Sequence, residues 1–389
     1  MFKEINFIRK SINFILFFIV LISVLNLAVF SEIKAKASND EIYTGTINSI
    51  SNQNCLDNPK TFCQVAKVLV NQGGNQQAVE NVQIKSLNKD IQDVGANYRV
   101  GDKIQIKKVN LDGKTSYLQA IAIDSGDLII YLVGSLCVLV ILVARWKGFQ
   151  ALLSLAATTW LLFGYLLPFF QKNPSQILNV GIPACFMFLF LNLILGHGWN
   201  RVSWIALAGS SISFVISVLI SLLTVNIFRL NGLGSDGAIF LASAGFTVSQ
   251  LADLFLIGTL LAVTGALDDV TAAQAASIQE IAIAKNGASW IELFKQGMRV
   301  GQEHLVSMIN TLILAFVGAA LPSFMVLYLQ NQTNIWFLLS REDVLEEIVR
   351  AVLASFSLVL AIPLTTLLAS LIFARIFSVS SKQESKKAI

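Results

Sequence analysis

The residues best suited to chemistry are two adjacent carboxylates, Asp268 and Asp269, which stand where a long apolar segment ends. A charge at the centre of a bilayer costs about 2.5–3.5 kcal/mol, so such carboxylates usually face a polar cavity or the membrane surface. The pair therefore predicts either a site that binds or relays a cation or proton, or a water-exposed helix turn. Gln274 and Glu280 continue the polar pattern. Asp253, near the start of the same segment, favours an interfacial position.

A second polar group enters the next apolar segment from one end. Glu303 and His304 precede the apolar run, and Asn310 and Thr311 lie about two helical turns further along. Glu303, Ser307 and Asn310 follow i, i+4, i+7 spacing and share one helix face. Such a stripe either lines a pathway for a solute or hydrogen-bonds one membrane helix to another.

The sequence carries none of the common catalytic motifs. It contains no GxSxG, Walker A, GxGxxG or kinase signature, and its two histidines, His197 and His304, show no metal-binding spacing. We therefore expect no enzymatic activity, no cofactor and no metal site. His197 stands between two glycines, which indicates a tight turn.

The composition indicates an α-helical polytopic membrane protein. Of the 389 residues 55% are apolar and 13% are charged, whereas soluble domains carry about 25% charged residues. The net charge of +4 is too small to predict nucleic-acid binding. The expected partners are the lipid bilayer and a small solute or ion. Apolar runs long enough to span a bilayer lie near 127–144, 149–169, 177–196, 203–228, 250–268, 305–329 and 348–378.

The first 37 residues are predicted to be an N-terminal membrane anchor or a signal peptide. Basic residues precede an apolar run over 12–30, and the small residues at 35–38 fit a cleavage pattern. The apolar run is long for a signal peptide, which favours an uncleaved anchor. Either interpretation carries residues 38–126 across the membrane.

Residues 38–126 predict a small β-domain outside the cytoplasm. Apolar and polar residues alternate near 42–47, 65–70, 79–84, 104–106 and 118–123, with turn residues between these runs. About five short strands suggest a small closed or half-closed barrel of the OB-like kind, because closure removes free strand edges. Cys55 and Cys63 either form a disulfide in this oxidising location or remain two free thiols.

The distribution of basic residues predicts the topology. Positive charges mark alternate connections, including a long one before residue 305, and the positive-inside rule then places both termini in the cytoplasm. The prediction is eight spans, of which seven form a membrane domain over 127–378, followed by a cytoplasmic tail over 379–389. The basic clusters fall at 3–10, 145–147, 201, 285–299 and 375–387.

Two stretches rich in small residues give further predictions for this domain: one close helix contact and one segment that does not span. Ser213, Ser217 and Ser221 recur every four residues and form one small face that a second helix can approach closely. Residues 231–244 are rich in Gly and Ser and are too short to span, which indicates a loop or a re-entrant element.

The chain resembles the YibE/YibF-like family of bacterial multi-spanning membrane proteins. The resemblance rests on residues 265–280 with Asp269-Val270, on 297–301, on 310–322, and on Ala361 to Thr365. It covers roughly 127–378, and the outer β-domain is similar to a module of longer members. The resemblance implies a multi-pass protein of the bacterial plasma membrane, and it implies no particular activity.

Two functions of different classes fit these features. The first is a transporter or permease for a small solute or ion, in which Asp268 and Asp269 handle a cation, Glu303 and His304 gate the inner mouth, and Asn310 with Thr311 line the path. The second is a receptor or scaffold whose outer β-domain binds an envelope partner. An intramembrane enzyme ranks last, because no nucleophile–base pair is evident.

The predicted topology can be tested with reporter fusions. Alkaline phosphatase fused after residue 126 should be active, because the enzyme folds only outside the cytoplasm, and a fluorescent protein fused after residue 389 should fluoresce. The opposite pattern would contradict the orientation. A phosphatase fusion after Arg201 serves as the inactive control.

Overall fold

The computed structural model describes residues 42–54, 62–72, 76–87, 98–111, 115–285, 287–329, 336 and 339–387. The predicted N-terminal anchor and Cys55 lie outside the described residues, as does the side chain of Cys63. The chain divides into two compact units, Met1–Leu139 and Val140–Ile389, and each is described by itself.

The first unit contains a closed five-stranded barrel in the order β1-β2-β3-β5-β4. The β3–β5 pair is parallel, and the other four neighbouring pairs are antiparallel. The strands are β1 Ile42–Asn54, β2 Phe62–Gln72, β3 Gln76–Leu87, β4 Lys103–Leu111 and β5 Thr115–Ile123. The predicted barrel of about five strands is confirmed, although all five strands are longer than the alternating patterns suggested.

Apolar and polar residues alternate along the strands, so the apolar side chains point into the barrel and fill its interior. Val68, Ile104 and Ile106 are fully buried, and Ile47 is almost so. Gly45 lies so close to the neighbouring strand that a Cβ atom there would stand 2.9 Å from the carbonyl oxygen of Leu69, so this position requires glycine.

Helices account for most of the rest of the described chain. They are α1 Gly126–Leu161, α2 Leu167–Lys172, α3 Ile177–Leu191, α4 Arg201–Phe228, α5 Asp236–Ser243, α6 Val248–Ala284, α7 Trp290–Ala319, α8 Leu321–Leu329 and α9 Glu342–Lys387. Wide π-helical turns at Leu162–Leu166 and Asn192–Gly196 extend α1 and α3.

Six helices among the described residues are long and apolar enough to cross a membrane. The first of them, Gly126–Lys172, has 47 residues and would extend about 70 Å, twice the thickness of a bilayer core. Its backbone breaks at Arg145, where φ is 52° and ψ is −126°. The break lies between the predicted spans 127–144 and 149–169. The predicted total of eight spans is not confirmed.

One predicted boundary is wrong. The long connection expected before residue 305 is helical on both sides, because α6 continues to Ala284 and α7 begins at Trp290. Polar residues lower the local hydropathy there, yet they leave the backbone hydrogen bonds of a helix intact. Helix α9 continues to Lys387, within the range 379–389 that is predicted to be a cytoplasmic tail.

In α4 the exposed face is apolar and the buried face is polar, which is the reverse of the arrangement in a helix of a soluble protein. Val215, Leu219 and Leu223 are more than half exposed. The predicted small face of Ser213, Ser217 and Ser221 is buried instead, and Ser217 Oγ donates to Ser357 Oγ of α9 at 2.7 Å. Large apolar side chains outside and small polar ones inside are typical of helices that pack in lipid.

Helix α6 is central to the second unit and packs against α3, α4, α7 and α9. It runs parallel to α9, since Arg350 lies over Phe255 near the start of both helices and Thr366 contacts Gln274 further along both. Helix α7 runs in the opposite direction and approaches both closely at Gly297 and Gly301. A Cβ atom at Gly301 would lie 2.6 Å from Cγ2 of Ile362.

This close approach predicts different effects for two glycines of α7. Gly301→Ala should lower the melting temperature, because the new methyl group overpacks a tight contact at a cost of about 1–3 kcal/mol. Gly318→Ala is the matched control, since no described atom outside its own helix lies within 4 Å of a Cβ there. Thermal unfolding of the purified variants in detergent provides the measurement. Equal melting temperatures for the two variants would contradict the prediction.

Candidate functional site

A cavity of about 490 Å³ opens at one end of the helical unit. We call it the Asp268 cavity. Its polar lining comes from side chains of three helical segments and of the turn that follows one of them. These side chains are Lys147, Ser154, Asn192, His197, Asp268 and Asp269.

Helix α6 supplies the two carboxylates. Its N-cap residue is Thr247, which forms a capping box with Gln250. The two residues that flank the carboxylates in the sequence, Leu267 and Val270, are apolar and fully buried. Asp268 is half-buried, and Asp269 is exposed. One oxygen of Asp268, Oδ1, is buried and has no hydrogen-bond partner in the described part of the chain. An unpaired buried polar atom costs about 1–3 kcal/mol, which a ligand could recover.

The opposite wall comes from α1 and from the end of α3. Ser154 Oγ of α1 donates to Asn192 Oδ1 in the π-helical turn at 2.9 Å, which joins the two helices. His197 follows this turn, and its carbonyl oxygen accepts a hydrogen bond from Asn200 Nδ2 at 2.8 Å. The predicted tight turn at His197 is present, with Gly198 at φ +85°. Lys147, near the break in α1, completes the wall.

The cavity combines charges of both signs. Desolvation by the surrounding side chains lowers the pKa of His197, although part of the residue remains open to solvent. The carboxylate of Asp269 raises that pKa, and the ammonium of Lys147 lowers it. Within the described ranges, no nitrogen of Lys147 or His197 forms a salt bridge with either aspartate.

Gln274 lies outside the cavity and joins three helices. Its Nε2 donates to the carbonyl oxygen of Gly297 at 2.8 Å and to Thr366 Oγ1 at 2.7 Å. Thr366 Oγ1 in turn donates to the carbonyl oxygen of Ile362 at 2.6 Å. The side chain of Gln274 is buried, so these bonds are shielded from water. Gln274 therefore connects α6 to α7 and α9.

The remaining predicted residues are not brought to the cavity. Glu280, Glu303, Asn310 and Thr311 are exposed on α6 and α7, and His304 is half-buried. Thr311 Oγ1 donates to the carbonyl oxygen of its own helix at Ser307, 2.9 Å away. None of these residues lines the Asp268 cavity.

A second cavity of about 560 Å³ lies at the opposite end of the unit, near the start of α9. Three of its four carboxylates have a partner for at least one oxygen. Glu342 accepts a backbone N–H of the loop before α5 at 2.9 Å, and Asp343 pairs with Arg341. Glu347 pairs with Arg350 at 2.6 Å. Oε2 of Glu347 is buried without a hydrogen-bond partner in the described part of the chain, as Oδ1 of Asp268 is. Because Asp343 and Glu347 are each paired with an arginine of the same helix end, this second cavity is less suited to a cationic ligand than the Asp268 cavity is. Among the described residues no group of three or more His, Cys, Asp or Glu side chains could hold a metal ion.

Comparison with known families agrees with the helical architecture. The sequence model described as YibE/F-like protein matches residues 132–375, which include both cavities and exclude the barrel. The chain belongs to the YibE/F family. No curated protein and no solved structure was found to match it.

The sequence predicted a candidate site at Asp268 and Asp269 of this YibE/F-family chain. It did not predict the other residues that line the cavity. Lys147 was interpreted as a loop charge, and His197 as part of a turn. Asn192 and Ser154 carried no signal, because isolated polar residues in apolar runs are common. The sequence does show a charged or ionisable residue at the end of each of these apolar runs. Which of these residues lie close together depends on how the helices pack, and the sequence pattern does not give that packing.

The electrostatics of this site predict how His197 titrates. Asp269→Asn should lower the pKa of His197 further, because the variant removes the carboxylate that favours the imidazolium. Lys147→Gln should raise it, because that variant removes a repelling charge. A His304→Gln background leaves a single histidine, whose imidazole can be titrated by NMR in detergent. A pKa that rises in Asp269→Asn would contradict the geometry.

Proposed function

We propose that this YibE/F-family protein is a membrane transporter for a small solute or ion, and that Asp268 and Asp269 bind or relay a cation or proton. The proposal places it in a bacterial plasma membrane, with both termini in the cytoplasm and the barrel outside. It assigns no catalytic step to any residue.

One observation carries the proposal: Asp268 lines a cavity within the helical unit and keeps a buried carboxylate oxygen without a partner. Carboxylates inside a membrane domain usually mark ion pathways or proton relays, because an unused charge there would only destabilise the fold. The cavity volume of about 490 Å³ lies within the range of sites for small molecules. A proton suits the pair better than a metal ion, since too few ligands surround it for a metal.

The directions of the helices agree with the proposed orientation. Lys147, His197 and the aspartates meet at one end of the unit. The loop before α5 and the start of α9 meet at the other end. The first end also carries Arg201, whereas at the second end the arginines at 229, 341 and 350 are outnumbered by the carboxylates at 236, 342, 343, 346 and 347. The positive-inside rule would assign the first end to the cytoplasm.

The barrel favours a second candidate, a receptor or scaffold. It has its own apolar core and lies outside the range matched by the family. Small barrels of the OB type bind oligosaccharides and oligonucleotides on their surface, so an envelope saccharide is a suitable partner. A receptor should lose its function when residues 38–126 are deleted, whereas a transporter should keep some flux.

The transport proposal can be tested by profiling elements and metabolites inside a deletion strain. The strain is complemented with wild type or with Asp268→Asn plus Asp269→Asn at matched expression. At least one solute should return to its normal level with wild type only, because the variant lacks the charges that handle the cation.

Asp253→Asn is the matched control, since Asp253 is on the same helix and outside the cavity. It should restore the solute as wild type does. If no solute level depends on the protein while both proteins reach the membrane, the transport proposal is wrong, and the barrel becomes the functional part to study.

A further inference from the structure

The Asp268 cavity has a charge arrangement that a simple ion would not complete. Asp268 and Asp269 stand on α6, and Lys147 stands on α1 across the same cavity. In the part of the chain that the structure describes, Lys147 forms no salt bridge with either carboxylate. The two signs therefore line one cavity without forming a direct ion pair.

A ligand of one sign would be attracted by one wall and repelled by the other. A monatomic cation would neutralise the aspartates but leave Lys147 unpaired, and an inorganic anion would do the reverse. A solute that carries both charges would satisfy both walls at once. Hydrogen bonds between charged groups are roughly twice as strong as neutral ones, so such a match would favour it over singly charged analogues.

The remainder of the lining suits a small organic body. Ala151 and Leu155 supply an apolar surface beside the charges, and Asn192 and Ser154 supply polar atoms. The volume of about 490 Å³ is large enough for a molecule of several carbon atoms together with water.

We infer that the Asp268 cavity binds a small zwitterion of the amino-acid class, with its ammonium group at Asp268 and Asp269 and its carboxylate at Lys147. The inference rests on the proposed function and specifies its substrate class. The apolar body of the solute then lies along Ala151 and Leu155, and His197 lies beside the bound charges.

Equilibrium binding to the purified full-length protein in detergent tests this assignment. The probes are glycine, L-alanine, L-leucine and L-phenylalanine, each with the amine that lacks the carboxylate and the acid that lacks the ammonium group. For leucine these analogues are 3-methylbutylamine and 4-methylpentanoate. At least one zwitterion should bind about tenfold or more tightly than both of its analogues, because each analogue loses one charged contact.

Variants assign the two contacts to their walls. Lys147→Gln should weaken binding of the zwitterion about tenfold and should not weaken binding of the amine, which Lys147 repels, whereas Asp268→Asn should weaken both. Lys172→Gln is the control, since Lys172 is exposed at the end of α2 and does not line the cavity. A variant that merely unfolds would lose the binding of every probe and would show a lowered melting temperature.

The inference is overturned if none of the four zwitterions binds, if an amine binds as tightly as its zwitterion, or if Lys147→Gln leaves zwitterion affinity unchanged. An amine that binds alone would leave the cation-handling proposal standing. Solute levels that do not depend on the carboxylates would overturn transport even where the zwitterion binds. The two proposals therefore fail separately.

Discussion

The close approach of α7 to α6 and α9 is the constraint on which the helical unit depends. In lipid no hydrophobic force draws helices together, so contact must come from small residues and from hydrogen bonds. Gly297 and Gly301 remove the side chains that would hold α7 away. The Nε2 of Gln274 can then reach the carbonyl oxygen of Gly297 and the hydroxyl of Thr366. Three helices are joined at one buried amide, and the position of α6 in the unit follows from it.

The position of α6 in turn decides where charge can be tolerated. Most of this helix is enclosed by apolar neighbours, and Asp268 and Asp269 fall where the wall formed by α1 and α3 leaves an opening. The adjoining Leu267 and Val270 are buried, so the pair cannot rotate away from the opening without exposing them. The packing of Leu267 and Val270 fixes the positions of the two carboxylates more than any hydrogen bond or ion pair of the carboxylates does.

Patterns that depend on one segment could be predicted from the sequence, and patterns that depend on several segments could not. The buried face of Ser213 and Ser217 follows from a four-residue repeat, and the barrel strands follow from alternation. The ends of α6 and α7 were missed because hydropathy falls at residues such as Gln274 and Glu303, while helix formation requires only backbone bonds. The side chains opposite Asp268 come from α1 and α3, more than seventy residues earlier in the chain, so no local spacing could reveal them.

The closure of the barrel has a consequence for the behaviour of the chain as a whole. An open sheet of five strands would present two rows of unpaired N–H and C=O groups, and each row is a template on which another chain can add a strand. The pairing of β1 with β4 over Ile42 to Thr46, and of β3 with β5 at Val82 and Gln83, covers part of each row. Closure therefore shortens the backbone edge on which a neighbouring copy of the domain could add a strand.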